Sequence, residues 1–253
     1  MKKKKNLVIR GIASGLIFVL AFSVLPGEVV RADDNNPTLS TAYERMYAMA
    51  TISWKPEKNM SIEYVSGVDM NYVATKTYKG MPYTQTKQRR YDDFKKAINK
   101  DGKLTSAIGT DCSYAVVDAW AVAGKNIMSK VTTTLGMFDK LKAGNTIIAV
   151  GTYTHKSSSY DVTLKVTQAN GLVTMTAAYK KLKIGNALLK RESNKGHVVM
   201  VKSVDNNGVY YTDQVGMGYK DNNTPATCSW NTLEFQSFSG LYSAGFVPVY
   251  PKP

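Results

Sequence analysis

The chain is poor in the residues from which reactive or cross-linked sites are usually made, with two cysteines and two histidines in 253 residues. Two cysteines exclude a disulfide-rich scaffold and any zinc cluster built on three or four thiolates. Two histidines are too few for a histidine-rich metal centre, so neither a metal nor another cofactor is expected. An enzyme that needs an imidazole has only His155 and His197 to choose from. Acidic residues are also scarce, 19 against 33 Lys and Arg, which gives a formal net charge of +14. No basic stripe with interleaved aromatics accompanies that charge, which argues against a nucleic-acid partner. Phenylalanine numbers only seven while tyrosine reaches sixteen, a ratio that fits half-exposed strand and groove positions. The content is nonetheless that of a folded chain, 43% hydrophobic and 21% charged, and disorder is excluded.

No apolar run is long enough to span a bilayer. The longest, GIASGLIFVLAFSVL at 11–25, covers fifteen residues, short of the ~18 a spanning helix needs. It follows Lys2, Lys3, Lys4, Lys5 and Arg10 and precedes Val30-Arg31-Ala32, which places small residues where a signal peptidase reads. This three-part pattern reads as a secretory signal over residues 1–32. The expectation is therefore a secreted protein, associated with the cell wall, with no stable membrane insertion after cleavage. No Cys follows the cleavage site to carry a lipid. Residues 1–32 hold six basic residues and one acid, so the remaining chain keeps 27 basic and 18 acidic residues and a net +9. Such a field attracts anionic polymers, here those of the cell wall, in a salt-dependent way.

Local patterns then divide residues 33–253, read as one domain. Thr41 with Glu44 fits a capping box, and apolar spacing predicts a helix over 40–51. Tyr91 opens a short helix over 91–99 with acids in its first turn. Asp111 reads as the N-cap of a helix over 112–123, stopped by Gly124. Strands are expected over 146–153, 160–167, 173–179, 187–189, 197–204, 209–214 and 246–250, with a hairpin at Asn206-Asn207-Gly208. Helices first and antiparallel strands after make an α+β domain. Leu141-Lys142-Ala143-Gly144-Asn145 and Leu182-Lys183-Ile184-Gly185-Asn186 echo each other as turns that enter strands.

Two accounts of the cysteines compete. In a secreted chain, Cys112 and Cys228 can form a disulfide. Alternatively, Cys112 starts a helix, where unpaired N–H groups and the helix dipole favour a thiolate and can hold an oxyanion. A nucleophilic Cys needs an imidazole to take and return the proton. His197 begins a strand after Ser193-Asn194-Lys195-Gly196, whereas His155 sits in a polar loop.

Gly109-Thr110-Asp111-Cys112-Ser113-Tyr114-Ala115-Val116 resembles the Asp-Cys-Ser nucleophile helix of NlpC-type cell-wall peptidases. Residues 182–204 are similar to the second half of those enzymes and of CHAP amidases, in which a Leu-x-x-Gly-Asp turn and a strand precede Gly-His-Val. Tyr78-Lys79-Gly80-Met81-Pro82-Tyr83 resembles their upstream Pro-Tyr segment, and the likeness covers 78–215. Four departures stand out: Gly185-Asn186 in place of Gly-Asp, Tyr114 in place of a small residue, a longer gap over 84–108 between the Pro-Tyr segment and the Cys, and a strand-rich insert over 125–181.

The resemblance implies a papain-like fold, a nucleophile-bearing helix packed on an antiparallel sheet. It implies cleavage of an amide bond, with peptide or peptidoglycan as substrate, Cys112 as nucleophile and His197 as base. It also implies a polar residue on the next strand that orients the imidazole. A two-residue turn at Asn206-Asn207 puts Gln214 on the face of His197; a three-residue turn would present Asp213 instead. Gln214 is the expected partner and Asp213 the alternative. Tyr83 and Gln85 are further candidates for the oxyanion or substrate. Two rival functions use the same residues: a non-catalytic wall- or surface-binding module, and an acyltransferase that passes the Cys112 acyl group to an amine.

Overall fold

The computed structural model describes residues 37–215 and 228–252; the segment read as a signal lies outside these. Helix α1 (Pro37–Thr51) opens at a proline, whose fixed φ suits the first turn of a helix. Thr41 is thus a full turn inside α1 and is not its N-cap. Five short strands follow that the sequence patterns did not single out: β1 (Ser53–Pro56), the hairpin β2 (Met60–Val65) and β3 (Val68–Tyr72), β4 (Tyr78–Lys79) and, after α2 (Tyr91–Ala97), β5 (Lys103–Leu104). They wrap an aromatic cluster in which Trp54 packs on Tyr72, Tyr78 and Phe94.

Helix α3 (Cys112–Val122) starts where the sequence places it. The Asp111 carboxylate accepts the Tyr114 N–H at 2.7 Å, and Gly124 adopts φ +77° after the helix. Eight of its eleven residues are buried, so small side chains let it lie in the core. Asp118, 1% exposed, accepts Arg90 Nε at 2.6 Å and the Tyr91 N–H at 3.1 Å, fastening the start of α2 to α3. Trp120 is core: its indole N–H donates to the Gly185 carbonyl at 2.8 Å.

The rest of the chain is α4 (Thr134–Ala143), β6 (Ile147–Ala149), α5 (Thr163–Tyr179), β7 (Ala187–Arg191), β8 (Gly196–Val204), β9 (Gly208–Gln214), β10 (Trp230–Ser237), α6 (Phe238–Ala244) and β11 (Val247–Pro251). The last five strands and β6 form one six-stranded sheet in the order β10-β9-β8-β7-β11-β6, with every neighbouring pair antiparallel. Helices α1 and α3 pack against each other and against β8 and β9, while α5 packs on β7, β11 and α6. Ala187, Leu188 and Leu189 and then Val198, Val199, Met200 and Val201 are all fully buried. Consecutive buried residues mean that both faces of the central strands are covered. The architecture is α+β. Among the described residues, no helix is long and apolar enough to cross a membrane.

The segment 125–181 is not strand-rich. Only Ile147–Ala149 of the expected 146–153 pairs as a strand, and 160–167 and 173–179 fall mainly within α5. The β-branched residues there misled the strand expectation, because propensity differences of a few tenths of a kcal/mol yield to tertiary burial. The buried residues Thr163, Val166 and Thr167, then Met175, Ala178 and Tyr179, recur at the three- and four-residue steps of a helix. Gly171, at φ +73°, kinks the two halves. The two Leu-Lys-x-Gly-Asn echoes behave alike: Gly144 (φ +64°) and Gly185 (φ +78°) end the stretches that lead into β6 and β7.

Candidate active site

The N-terminus of α3, the start of β8 and the end of β9 converge at one place. Asp111 shapes the first of these. Its Oδ1 accepts from Tyr114 N and from Ser113 Oγ at 3.0 Å, and its Oδ2 accepts from Gln88 Nε2 at 2.6 Å. Burial raises the pKa of this carboxyl above its ordinary value, an effect the donated hydrogen bonds oppose. Cys112, the next residue, is a buried free thiol.

His197 comes to the thiol from β8, and the register of β8 with β9 decides its other neighbour. The turn is the expected one, with Asp205 N–H donating to the Gly208 carbonyl at 3.0 Å across Asn206-Asn207. Val204 pairs with Val209 and Ser203 with Tyr210, but Val201 then pairs with Tyr211 and Met200 with Thr212. Lys202 is therefore an extra residue on β8, a bulge that reverses the alternation of side chains beyond it. Asp213, not Gln214, consequently shares the face of His197. The separation of His197 Nε2 from Asp213 Oδ2 is 2.6 Å. The expected partner Gln214 faces the other way. Its Nε2 donates to the Met81 carbonyl at 3.1 Å, which also accepts Trp230 Nε1 at 2.8 Å. Gln214 thus holds the chain just before Pro82-Tyr83. The Gly216 end of the expected pairing lies outside the described residues.

The imidazole hydrogen-bonds the Cys112 thiol as well as Asp213. Because Nε2 is taken by the carboxylate, Nδ1 is the ring nitrogen left for sulfur. Burial alone would push the His197 pKa down. The hydrogen bonds and charges of Asp213 and Cys112 outweigh that and push it up to about 10. These partners favour the protonated form of the ring, the imidazolium. Asp213 is 3% exposed, and its second oxygen, Oδ1, has no hydrogen-bond partner among the described residues. Its compensation rests on the ring of His197. The edge of Phe246, 6.5 Å away between centroids, packs the ring from the side.

Tyr83 and Gln85 also reach the site. Tyr83 lies beside Cys112 and stacks on Tyr64 with centroids 4.6 Å apart; its oxygen accepts from Gln85 Nε2 at 2.9 Å. Burial, reinforced by the neighbouring Cys112, raises the Tyr83 pKa far above ordinary, so the phenol stays neutral and can donate. Cys112, Tyr83 and Gln85 line a cleft of about 340 Å³. Gln88, Thr133, Thr134, Arg191, Asn194 and Lys195 line it too, and none was singled out from the sequence. The last three were within reach of it: Arg191 pairs with Gly196 in the β7–β8 hairpin, which is the hairpin that carries His197. Gly196 itself has a packing reason. A Cβ there would lie 2.2 Å from Thr134 Oγ1 and 2.9 Å from the Lys190 carbonyl oxygen.

The spare thiol and imidazole are elsewhere. Cys228 is a free, buried thiol, so the two cysteines are not joined. It lies beside Trp54 and Tyr72, and burial pushes its pKa far up despite the opposing effect of those neighbours. His155 Nδ1 lies 3.0 Å from the Tyr153 carbonyl oxygen, and its ring leans on the Tyr153 ring. Comparison of the chain with protein-family models, with curated proteins and with solved structures returns no match.

Proposed function

We propose that the chain is a papain-like cysteine peptidase or amidase that hydrolyses an amide bond in peptides, those of peptidoglycan above all, after secretion. The observation that carries the proposal is the line of Cys112, His197 and Asp213, with the ring shared between thiol and carboxylate. The thiolate is the form that attacks, and the His197 ring beside it is the group that carries the proton. Cys112 Sγ adds to the amide carbon, and the carbonyl oxygen takes the negative charge. Backbone N–H groups at the start of α3, aided by the Tyr83 hydroxyl, hold that oxygen. His197 Nδ1–H gives its proton to the leaving amine as the C–N bond breaks and a thioester remains. The now neutral ring takes a proton from water, whose oxygen attacks the thioester and releases the acid and the thiolate. Asp213 keeps Nε2 protonated and the ring oriented throughout, the role of a positioning residue.

Alkylation at neutral pH tests this directly. Iodoacetamide should modify Cys112 at least about tenfold faster than a small free thiol, and purified cell wall should release new amino groups with wild type but not with Cys112→Ala. A Cys112 that reacts no faster than a free thiol, or wall binding with no released amine, would overturn the proposal. Adding a nucleophilic amine and weighing the products distinguishes hydrolysis from acyl transfer.

A further inference from the structure

The cleft beside Cys112 has polar walls. Apart from Tyr83 and Cys112, its lining residues carry amides, hydroxyls, a glycine and three ionisable side chains, Asp111, Arg191 and Lys195, of which Arg191 also lines a neighbouring cavity beside Val162 and Leu164. The charges are not equally available. Both oxygens of Asp111 are already occupied by donors from Ser113, Tyr114 and Gln88. Lys195 is 3.1 Å from Glu192, which also takes Lys190 at 2.8 Å. Arg191 differs. One of its terminal nitrogens donates to the Ser193 carbonyl at 2.8 Å, and among the described residues no carboxylate pairs with it. A guanidinium carries five N–H donors in a planar fork, and one carbonyl uses only one.

We infer that Arg191 determines specificity: the substrate carries a free carboxylate on a residue flanking the scissile amide, and the Arg191 guanidinium holds it. The inference rests on Cys112 being the nucleophile and adds the class of substrate. A single uncompensated cation, with the amides of Gln85, Gln88 and Asn194 around the cleft, matches a singly charged planar anion. Lys195, 74% exposed and paired with Glu192, serves as the neighbouring cation that the inference does not use.

Charged and neutral alkylating agents report on this without a known substrate. Rate constants for Cys112 modification by iodoacetate and by iodoacetamide are measured on the full chain, with mass mapping of the modified peptide. The iodoacetate-to-iodoacetamide ratio should fall about three- to tenfold in Arg191→Gln, the loss expected for one nearby, partly screened charge. In Arg191→Lys it should fall by less, and in Lys195→Gln it should stay within about twofold of wild type. The ratio cancels any change in the intrinsic reactivity of the thiol, and a urea midpoint within error of wild type shows that Arg191→Gln is folded. N-acetylglutamate should slow iodoacetamide labelling of wild type and not of Arg191→Gln. An unchanged ratio in Arg191→Gln, an equal fall in Lys195→Gln, or protection by inorganic phosphate in place of the carboxylate would overturn the inference. Slow iodoacetamide labelling of wild type would instead count against the nucleophile itself, whatever the ratio.

Discussion

Two buried thiols occupy one fold and differ in everything around them. Cys112 opens a helix whose N-cap carboxylate is satisfied, meets an imidazolium, and lines a cleft. Cys228 sits behind Trp54 and Tyr72, where burial opposes its ionisation. The same contrast separates the imidazoles: His197 lies between sulfur and a buried carboxylate, and His155 leans on a backbone carbonyl and a tyrosine ring. Burial alone therefore does not make a thiol inert or an imidazole neutral. What matters is whether the buried group is given an opposite charge or a hydrogen-bonding partner for its charged form.

The sharpest way to break the contrast is to remove each thiol. Cys112→Ala should abolish amide hydrolysis and rapid alkylation. Cys228→Ala should keep the alkylation rate within about twofold and cost about 1–2 kcal/mol in urea unfolding through the small cavity left behind. Equal losses of activity in the two variants would erase the distinction. Next comes the imidazole. His197→Ala should lower kcat/KM about 10²–10⁴-fold, the usual range for a general acid–base, whereas His155→Ala should leave it unchanged.

Asp213→Asn should act through the ring. The alkaline fall in kcat/KM for amide hydrolysis, set in wild type by loss of the His197 proton near pH 10, should move down toward the ordinary histidine value of 6.5. Stability must follow the same proton. The folded pKa lies above the unfolded one, so the contribution is fully present below pH 6.5 and is lost as pH rises through about 10. Urea midpoints at pH 6, 8.5 and 10.5 should fall in that order for wild type and flatten in the variant. The smallest effect is expected of Tyr83→Phe, about three- to tenfold in kcat with little change in iodoacetamide labelling. Its hydroxyl is assigned to the oxyanion and not to the thiolate. Loss of labelling in that variant would place Tyr83 in the ground state instead.

The sequence was most legible where a short-range chemical signal set the structure. Asp111 and Gly124 marked both ends of α3, and Asn206-Asn207-Gly208 marked the hairpin. Hence α3 and the hairpin could be placed from the chain, while the pairing of Cys112 with His197 rested on the resemblance to NlpC-type peptidases. It was least legible where tertiary packing overruled local preference. The β-branched run over 160–179 became α5 because one face of it is buried at helical spacing. The short strands β1 to β5 are held by pairing and by an aromatic cluster, not by alternation long enough to read. The third residue fell between these cases. The turn was right, and the partner was still wrong, because an exposed lysine in the middle of a strand gives no sign that it is a bulge.

That lysine has a consequence for how such sites are sought. Counting along the chain from His197, Asp213 stands sixteen positions on and Gln214 seventeen, and only the Lys202 bulge decides which of them meets the ring. Deleting one residue there would exchange a carboxylate for an amide beside the imidazole, with no substitution at either position. A pattern that fixes the number of residues between base and orienting group is thus brittle to one insertion. A pattern that asks which face of the second strand is presented is not.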